Sequence, residues 1–168
     1  MVRILKELLW PVKLLALDFD GTLTVGSLVF FSQDGKELVI CCRRDSLGIA
    51  MLKKIGVNVI VVSKETNSVV WARCQKMGIE CVYGLGTSED KLLVLQKYAE
   101  ELNLLPSQVA FVGDDANDIL CMKWAGVSFN VADAHPSTKK AVNCTTKAEG
   151  GRGAVREVCD LILEAKAS

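Results

Sequence analysis

The 168-residue sequence predicts an α/β fold: a doubly wound parallel sheet, Rossmann-like, carrying a β-hairpin insertion. Three observations lead there. Short, mainly apolar runs recur along the chain at Val12–Leu17, Val57–Val62, Val109–Val112 and Val127–Val131. Such runs suit strands buried on both faces. Segments of helical period separate them. Two of the runs stop directly on clusters of acidic residues, which in a parallel sheet would open onto one crevice.

The elements follow in order. After Val12–Leu17, the stretch "SLVFFSQDGKELVICC" (27–42) holds two β-prone segments around Gln33-Asp34-Gly35-Lys36, and Asp-Gly between such segments signals a hairpin. Asp45 reads as the cap of a helix whose apolar face carries Leu47, Ile49, Met51 and Leu52, ending at Gly56. A strand at Val57–Val62, a helix at Thr66–Met77 stopped by Gly78, and a short strand at Glu80–Tyr83 come next. Ser88-Glu89-Asp90-Lys91 opens an amphipathic helix reaching about Leu102, with Pro106 beyond it. Val109–Val112 is a strand, Asp118–Ala125 a helix and Val127–Val131 the fifth core strand. After the segment Pro136–Val142, a glycine-rich loop leads into a terminal helix within 149–168. One domain, 1–168, accounts for all of it. Trp71 and Trp124 fall at helical positions suited to packing, and Trp10 before Pro11 suits an anchor for the N-terminal segment.

Composition narrows the function. Twenty basic and twenty acidic side chains cancel and are spread along the chain, so no polybasic surface for nucleic acid or anionic lipid is expected. Arg3, Lys6, Glu7 and Lys13 break the apolar N-terminus into pieces too short for a signal peptide, and no window approaches the ~18 apolar residues of a membrane span. The seven cysteines lack C-x-x-C spacing, which points to reduced core or interface residues in a cytoplasmic protein rather than to a metal-thiolate site.

The informative stretches are "LALDFDGTLT" and "AFVGDDAND". Strand alternation would point Asp18 and Asp20 the same way, where they repel. Asp114, Asp115, Asn117 and Asp118 end a second strand in the same manner. Hard oxygen ligands converging from two strands suit Mg²⁺, which would neutralise carboxylates unable to stay ionised together. Asp-Gly and Gly-Asp-Asp also make ordinary turns, but two such clusters, each directly after an apolar strand, argue for a site.

With these residues in view, "DFDGTLT" and "GDDAND" resemble the first and fourth signatures of the haloacid dehalogenase superfamily. The resemblance implies a phosphatase. Asp18 would attack phosphorus to give an aspartyl-phosphate, and Asp20 would protonate the leaving alcohol and then activate water. Mg²⁺ would be held by Asp18, the backbone carbonyl of Asp20 and Asp114, with Asp115 or Asp118 behind them. Thr22 and Asn117 belong to the supporting pattern. Ser63 falls where the family places a phosphate-binding hydroxyl, and Lys91 where it places a lysine that neutralises phosphate and nucleophile.

No stretch is long enough for a cap domain, and in this the chain is similar to the capless 3-deoxy-octulosonate 8-phosphate and nonulosonate (sialic acid) 9-phosphate phosphatases. That family makes sugar acids for lipopolysaccharide, capsule or sialylated surfaces, and includes phosphatase domains of acylneuraminate cytidylyltransferases. The resemblance implies a homotetramer assembled through the hairpin 27–42. It also implies a tail in which Gly150, Gly151, Arg152 and Gly153 offer amides and a guanidinium in a neighbour's site. Octulosonate phosphatases usually follow the Ser63 position with Gly-Arg; here Lys64 and Glu65 stand instead. Glu65, with Lys76, matches the nonulosonate pattern, so a nonulosonate 9-phosphate is the expected substrate and octulosonate 8-phosphate the alternative. A catalytically silent tetramerisation domain of a cytidylyltransferase is the alternative of another class, opposed by the retained acids and Lys91.

Overall fold

The computed structural model describes residues 2–26 and 28–167; Ser27, first of the hairpin segment, and Ser168, last of the tail, lie outside them. Four apolar runs of the sequence become the strands β1 (Leu14–Leu17), β4 (Asn58–Val62), β6 (Val109–Gly113) and β7 (Val127–Asn130). Glu80–Val82 forms β5 and Cys144–Thr145 forms β8. All pair in parallel, in the order β5-β4-β1-β6-β7-β8. Numbered along the sheet's own strands this is 3-2-1-4-5-6, the doubly wound order expected, with its switch point between β1 and β6.

Helices cover both faces. Leu15 and Leu17 of β1 join a core with Leu9 of α1 (Val2–Leu9), Ile49 and Leu52 of α2 (Arg43–Lys54), Val70 and Cys74 of α3 (Val69–Met77), and Val155, Val158 and Ile162 of α6 (Ala154–Lys166). Leu14 and Ala16 point the other way, onto Leu95 and Ala99 of α4 (Ser88–Glu101) and Cys121 and Met122 of α5 (Ile119–Trp124). The period of two along β1 thus serves two cores at once.

Several local expectations change. The helix α2 is entered through Cys42, and Asp45 sits inside its first turn, fully buried, where Oδ1 accepts a hydrogen bond from the Arg156 amide at the start of α6. Asp45 is a bolt between two helices rather than a cap. The helix α3 begins at Val69, three residues later than expected. Glu65 accepts from the amides of Thr66 and Asn67, and Asn67 accepts from that of Val69; these local bonds compete with the first helical turn. The helix over Val2–Leu9 and the two-residue β8 were not foreseen. Trp71 and Trp10 are largely exposed, so neither packs as expected; Trp124 does, against the second core. No helix among the described residues is long and apolar enough to cross a membrane.

The hairpin forms, but its strands β2 (Phe30–Phe31) and β3 (Glu37–Leu38) are only two residues each. Its turn is closed by Ser32, whose backbone and hydroxyl bond to Asp34 and Lys36. Leu28, Phe30, Phe31, Leu38 and Ile40 are all more than half exposed. The returning arm is tied to the body by Val25 donating to the Ile40 carbonyl, 2.9 Å, and a bridge between Thr24 and Cys41.

Burial pushes the Asp45 carboxyl up to about 6 from 3.8, opposed by its bond from Arg156 and the charges of Arg73 and Arg156. A raised carboxyl favours the folded state while protonated. Its contribution is complete below the ordinary carboxylate range and is lost as the pH climbs through about 6. Asp45→Asn keeps an acceptor for the Arg156 amide and removes the charge. Urea unfolding of the variant between pH 4 and 7 should therefore lack a decline of about 1–3 kcal/mol that the parent shows. Identical slopes would clear Asp45 of that role.

Candidate active site

The chain breaks its strand before the first carboxylate. β1 ends at Leu17, and the Asp18 amide donates to the Val112 carbonyl of β6, 2.9 Å, which lays Asp18 across the switch point. The next residues wind into a knot in which the Phe19 carbonyl accepts from the amides of Thr22, Leu23 and Thr24. Asp20 is therefore placed by a turn and not by strand alternation. The Thr24 hydroxyl accepts from the Gly21 amide, 3.0 Å, giving the second threonine of the motif a role the sequence reading did not assign.

Three carboxylates converge. One oxygen each from Asp18, Asp114 and Asp118 lies within 4.8 Å of the others. Asp18 is nearly buried and Asp118 fully so. Asp118 Oδ2 accepts from the amides of Asp114, 2.9 Å, and Asp115, 3.3 Å, and so shapes the loop after β6. Asp115 turns away: its carboxylate caps Ala116 and stands 3.7 Å from His135 Nδ1. Of the two residues expected behind the ligands, the geometry joins Asp118 to the cluster. Asn117 is half-buried in the turn Ala116–Asp118, and the His135 amide donates to the Asp114 carbonyl.

Lys91 supplies the positive charge. Its Nζ lies 2.6 Å from both Asp18 Oδ1 and Asp118 Oδ1, with no exposed surface. The Thr87–Asp90 capping box fixes the start of α4, so Lys91 enters from the first turn of a well-anchored helix. Burial alone would lower the lysine; the charges of Asp18 and Asp118 outweigh it and hold the ammonium well above its usual value. One ammonium cannot balance three carboxylates. Asp114 carries the difference, pushed up to about 8 by burial and by Asp18, Asp118 and Asp115, with Lys91 opposing. An all-oxygen donor set with excess negative charge fits a hard divalent cation.

Asp20 stands beside this cluster in a different field. Burial first, then the charges of Glu65 and Glu37, push it up to about 6, with Lys91 opposing. Glu37 comes from the hairpin, and the sequence reading missed it; no spacing links it to Asp20. Its Oε2 accepts from Asn67 Nδ2, 3.2 Å, while Oε1 is buried without a hydrogen bond. Ser63 ends β4 as expected, buried, its hydroxyl oxygen accepting from the Glu65 amide. Thr22 is buried and its hydroxyl has no partner. Lys64 and Lys76 are exposed, and among the described residues neither bonds to the carboxylates.

The glycine-rich tail is placed differently from the expectation. The Gly151 amide donates to the Thr22 carbonyl, 3.0 Å, and the Gly150 amide to Asp133 Oδ1, 2.9 Å. Both amides are spent within the same chain and are not free for a substrate. A Cβ at position 150 would lie 1.6 Å from the Gly21 carbonyl oxygen, and one on Gly21 (φ +70°) would lie 2.0 Å from Asp114 Oδ2. Two glycines thus let the tail, the Asp20 loop and Asp114 stack without side chains between them. Asp133 completes this buttress and was not foreseen. Arg152 points outward and pairs with Glu149, 3.2 Å.

Fold and site define a hydrolase of the haloacid dehalogenase type. The family model for haloacid dehalogenase-like hydrolases matches residues 62–157. The chain belongs to this family and is a phosphatase. It is 39% identical over 155 residues to the 3-deoxy-D-manno-octulosonate 8-phosphate phosphatase KdsC of Escherichia coli K12, spanning 92% of this chain and 81% of the relative. Among solved structures, the Moraxella catarrhalis 3-deoxy-D-manno-octulosonate 8-phosphate phosphatase, in complex with magnesium, phosphate and KDO, superposes with a TM-score of 0.93. It is 29% identical and covers 99% of this chain and 94% of its own. The cobalt-bound Haemophilus influenzae enzyme has a TM-score of 0.87 at 31% identity, covering 95% of this chain and 92% of its own.

Gly150→Ala should push the Gly21 carbonyl and displace the Asp20 loop. A shift of this kind costs about a hundredfold in turnover. Phosphate release by the purified variant measures it, and parental turnover would show that the tail does not position the loop.

Proposed function

We propose that this chain hydrolyses the phosphomonoester of a 3-deoxy-2-keto sugar acid, with 3-deoxy-octulosonate 8-phosphate as its substrate and Mg²⁺ as its cofactor. The observation that carries the chemistry is the convergence of Asp18, Asp114 and Asp118 on one point with Lys91 between two of them. The eight-carbon substrate is supported by relatives named for that activity along nearly the whole chain, and replaces the nine-carbon ester as first choice. Glu65 remains the observation favouring the nonulosonate 9-phosphate, and one oxygen of its carboxylate is already engaged by Thr66 and Asn67.

In this reading Asp18, Asp114 and Asp118 hold the metal, together with the Asp20 carbonyl. Bound there, Mg²⁺ supplies charge neutralisation for a phosphoryl group and its attacking carboxylate. Asp18 attacks phosphorus through its free oxygen, while Lys91 holds the other in place and offsets charge on the phosphoryl oxygens. The Asp20 carboxyl, raised to about 6, retains part of its proton near neutrality and passes it to the departing sugar alkoxide. The resulting carboxylate takes a proton from the water that cleaves the aspartyl-phosphate. Ser63 and the Thr22 hydroxyl, which lacks a protein partner, bind phosphoryl oxygens.

The exposed apolar hairpin supports a homotetramer assembled through β2 and β3, with Arg152 facing outward to meet a neighbour. Seven free thiols suit the reducing cytoplasm.

The deciding experiment compares phosphate release from the eight- and nine-carbon esters with Mg²⁺, before and after chelation. Faster turnover of the octulosonate ester, lost on chelation and restored by Mg²⁺, is expected; faster nonulosonate turnover overturns the ranking. Asp18→Asn should lower turnover roughly a thousandfold or more without unfolding the chain. Phe30→Ser with Phe31→Ser should shift the sedimentation coefficient to that of a smaller species, and an unchanged value would remove the hairpin from the interface.

A further inference from the structure

The opposite end of the sheet carries a cavity of about 740 Å³. It lies at the amino ends of β1 and β6, where Lys13 precedes β1 and Gln108 precedes β6, whereas the carboxylates occupy the carboxyl ends. Its walls are apolar: Trp10, Met51, Ile55 and Leu163 line it, with Trp10 65% and Ile55 48% exposed. Two lysines, Lys13 and Lys166, stand at its edge. Lys166 Nζ donates to the Trp10 carbonyl, 2.9 Å, which fixes the ammonium over the cavity and leaves two of its protons unspent.

Neither lysine forms an ion pair among the described residues. Burial and then the charge of Lys13 lower the Lys166 pKa, so the two ammonium groups stand close enough to repel. Other cations among the described residues do have carboxylate partners: Arg156 has Asp160, Arg152 has Glu149 and Lys91 has two aspartates. Here two like charges flank an apolar cavity that the described side chains leave open. The volume falls within the range of small-molecule sites, roughly 300–1,000 Å³.

We propose that this cavity is a binding site for a small amphipathic anion, one with an aromatic or aliphatic body and a single carboxylate or sulfonate. The body lies against Trp10, Met51 and Leu163, and the anionic group bridges Lys13 and Lys166. A single anion relieves the repulsion between the lysines while the ring displaces water from apolar walls. The site shares no residue with the catalytic carboxylates, so it stands or falls apart from the substrate assigned above.

The test uses two fluorescent probes with the same kind of body: anionic 8-anilinonaphthalene-1-sulfonate and neutral N-phenyl-1-naphthylamine. Any exposed apolar surface takes up such bodies whatever their charge, so the reading is the difference in affinity between them. The parent should bind the sulfonate about tenfold more tightly, as two partly exposed charge contacts allow. The preference should shrink as salt is raised. Lys13→Met with Lys166→Met should abolish the preference while leaving phosphatase turnover intact, which also certifies the fold. Trp10→Ala should weaken sulfonate binding severalfold. Equal affinities in the parent, a preference that survives the lysine substitutions, or no effect of Trp10→Ala overturns the proposal.

Discussion

Everything at the carboxyl ends of the strands depends on one charge balance: the buried ammonium of Lys91 held between Asp18 and Asp118. Taking a lysine wholly out of water is costly, and two short charge-assisted contacts are what make it tolerable. The same contacts orient both carboxylates, so the ion pair fixes the geometry of Asp18, the proposed nucleophile, as well as its charge. Three carboxylates against one ammonium leave two negative charges unmet when all are ionised. The raised Asp114 records that excess, and a divalent ion is the simplest species that cancels it.

The scaffold accommodates this crowding with absent side chains rather than added ones. Gly21 makes room for the Asp114 carboxylate, and Gly150 makes room for the Gly21 carbonyl. Each removes a Cβ where backbone and carboxylate approach within a few ångströms. The tail then acts inside its own chain as a wedge behind the Asp20 loop, held by Asp133 and by the Thr22 carbonyl. Because Asp45 pins the start of α6 to α2, the wedge is tied to the helix that follows the hairpin. Hairpin, tail and Asp20 loop therefore form one mechanical unit.

What was legible in the sequence was what is local in the structure. Strand-ending acids announced the site because register and turn lie within a few residues of each motif: "DFDGT" after β1, "GDDAND" after β6. Lys91 and Ser63 were placed through the family resemblance, and the fold brings them to the motifs. Contacts of long sequence separation left no local signal. Asp45 looks like a helix cap until Arg156, 111 residues away, takes its oxygen. Glu37 looks like a hairpin surface residue until the fold brings it near Asp20. Two-residue strands such as β8 are too short to show a period, and the charges of "VRILKELL" obscured a helix that packs Leu5, Leu8 and Leu9 onto the core. The tail's glycines stood out in the sequence as amides for a neighbour's site, but glycine content cannot say which backbone will approach them, and here it is the Gly21–Thr22 backbone of the same chain.

Without a cap, substrate choice has to come from groups at the rim. On this chain they are Glu65 and Glu37, both close enough to raise the Asp20 carboxyl, with Lys64 exposed beside them. Carboxylates at that distance accept hydrogen bonds from sugar hydroxyls and repel an anionic carboxyl group. Under the proposed function, a sugar acid entering phosphate-first would have its hydroxylated middle drawn to Glu37 and Glu65, and its own carboxylate driven outward, away from Asp20. At the outer rim it would need a cation, and in the proposed assembly the exposed Arg152, paired with Glu149 in its own chain, would be the group offered to a neighbour. In that proposed tetramer the acidic rim and the outward arginine would be two halves of one selectivity device, joined through the hairpin that carries Glu37.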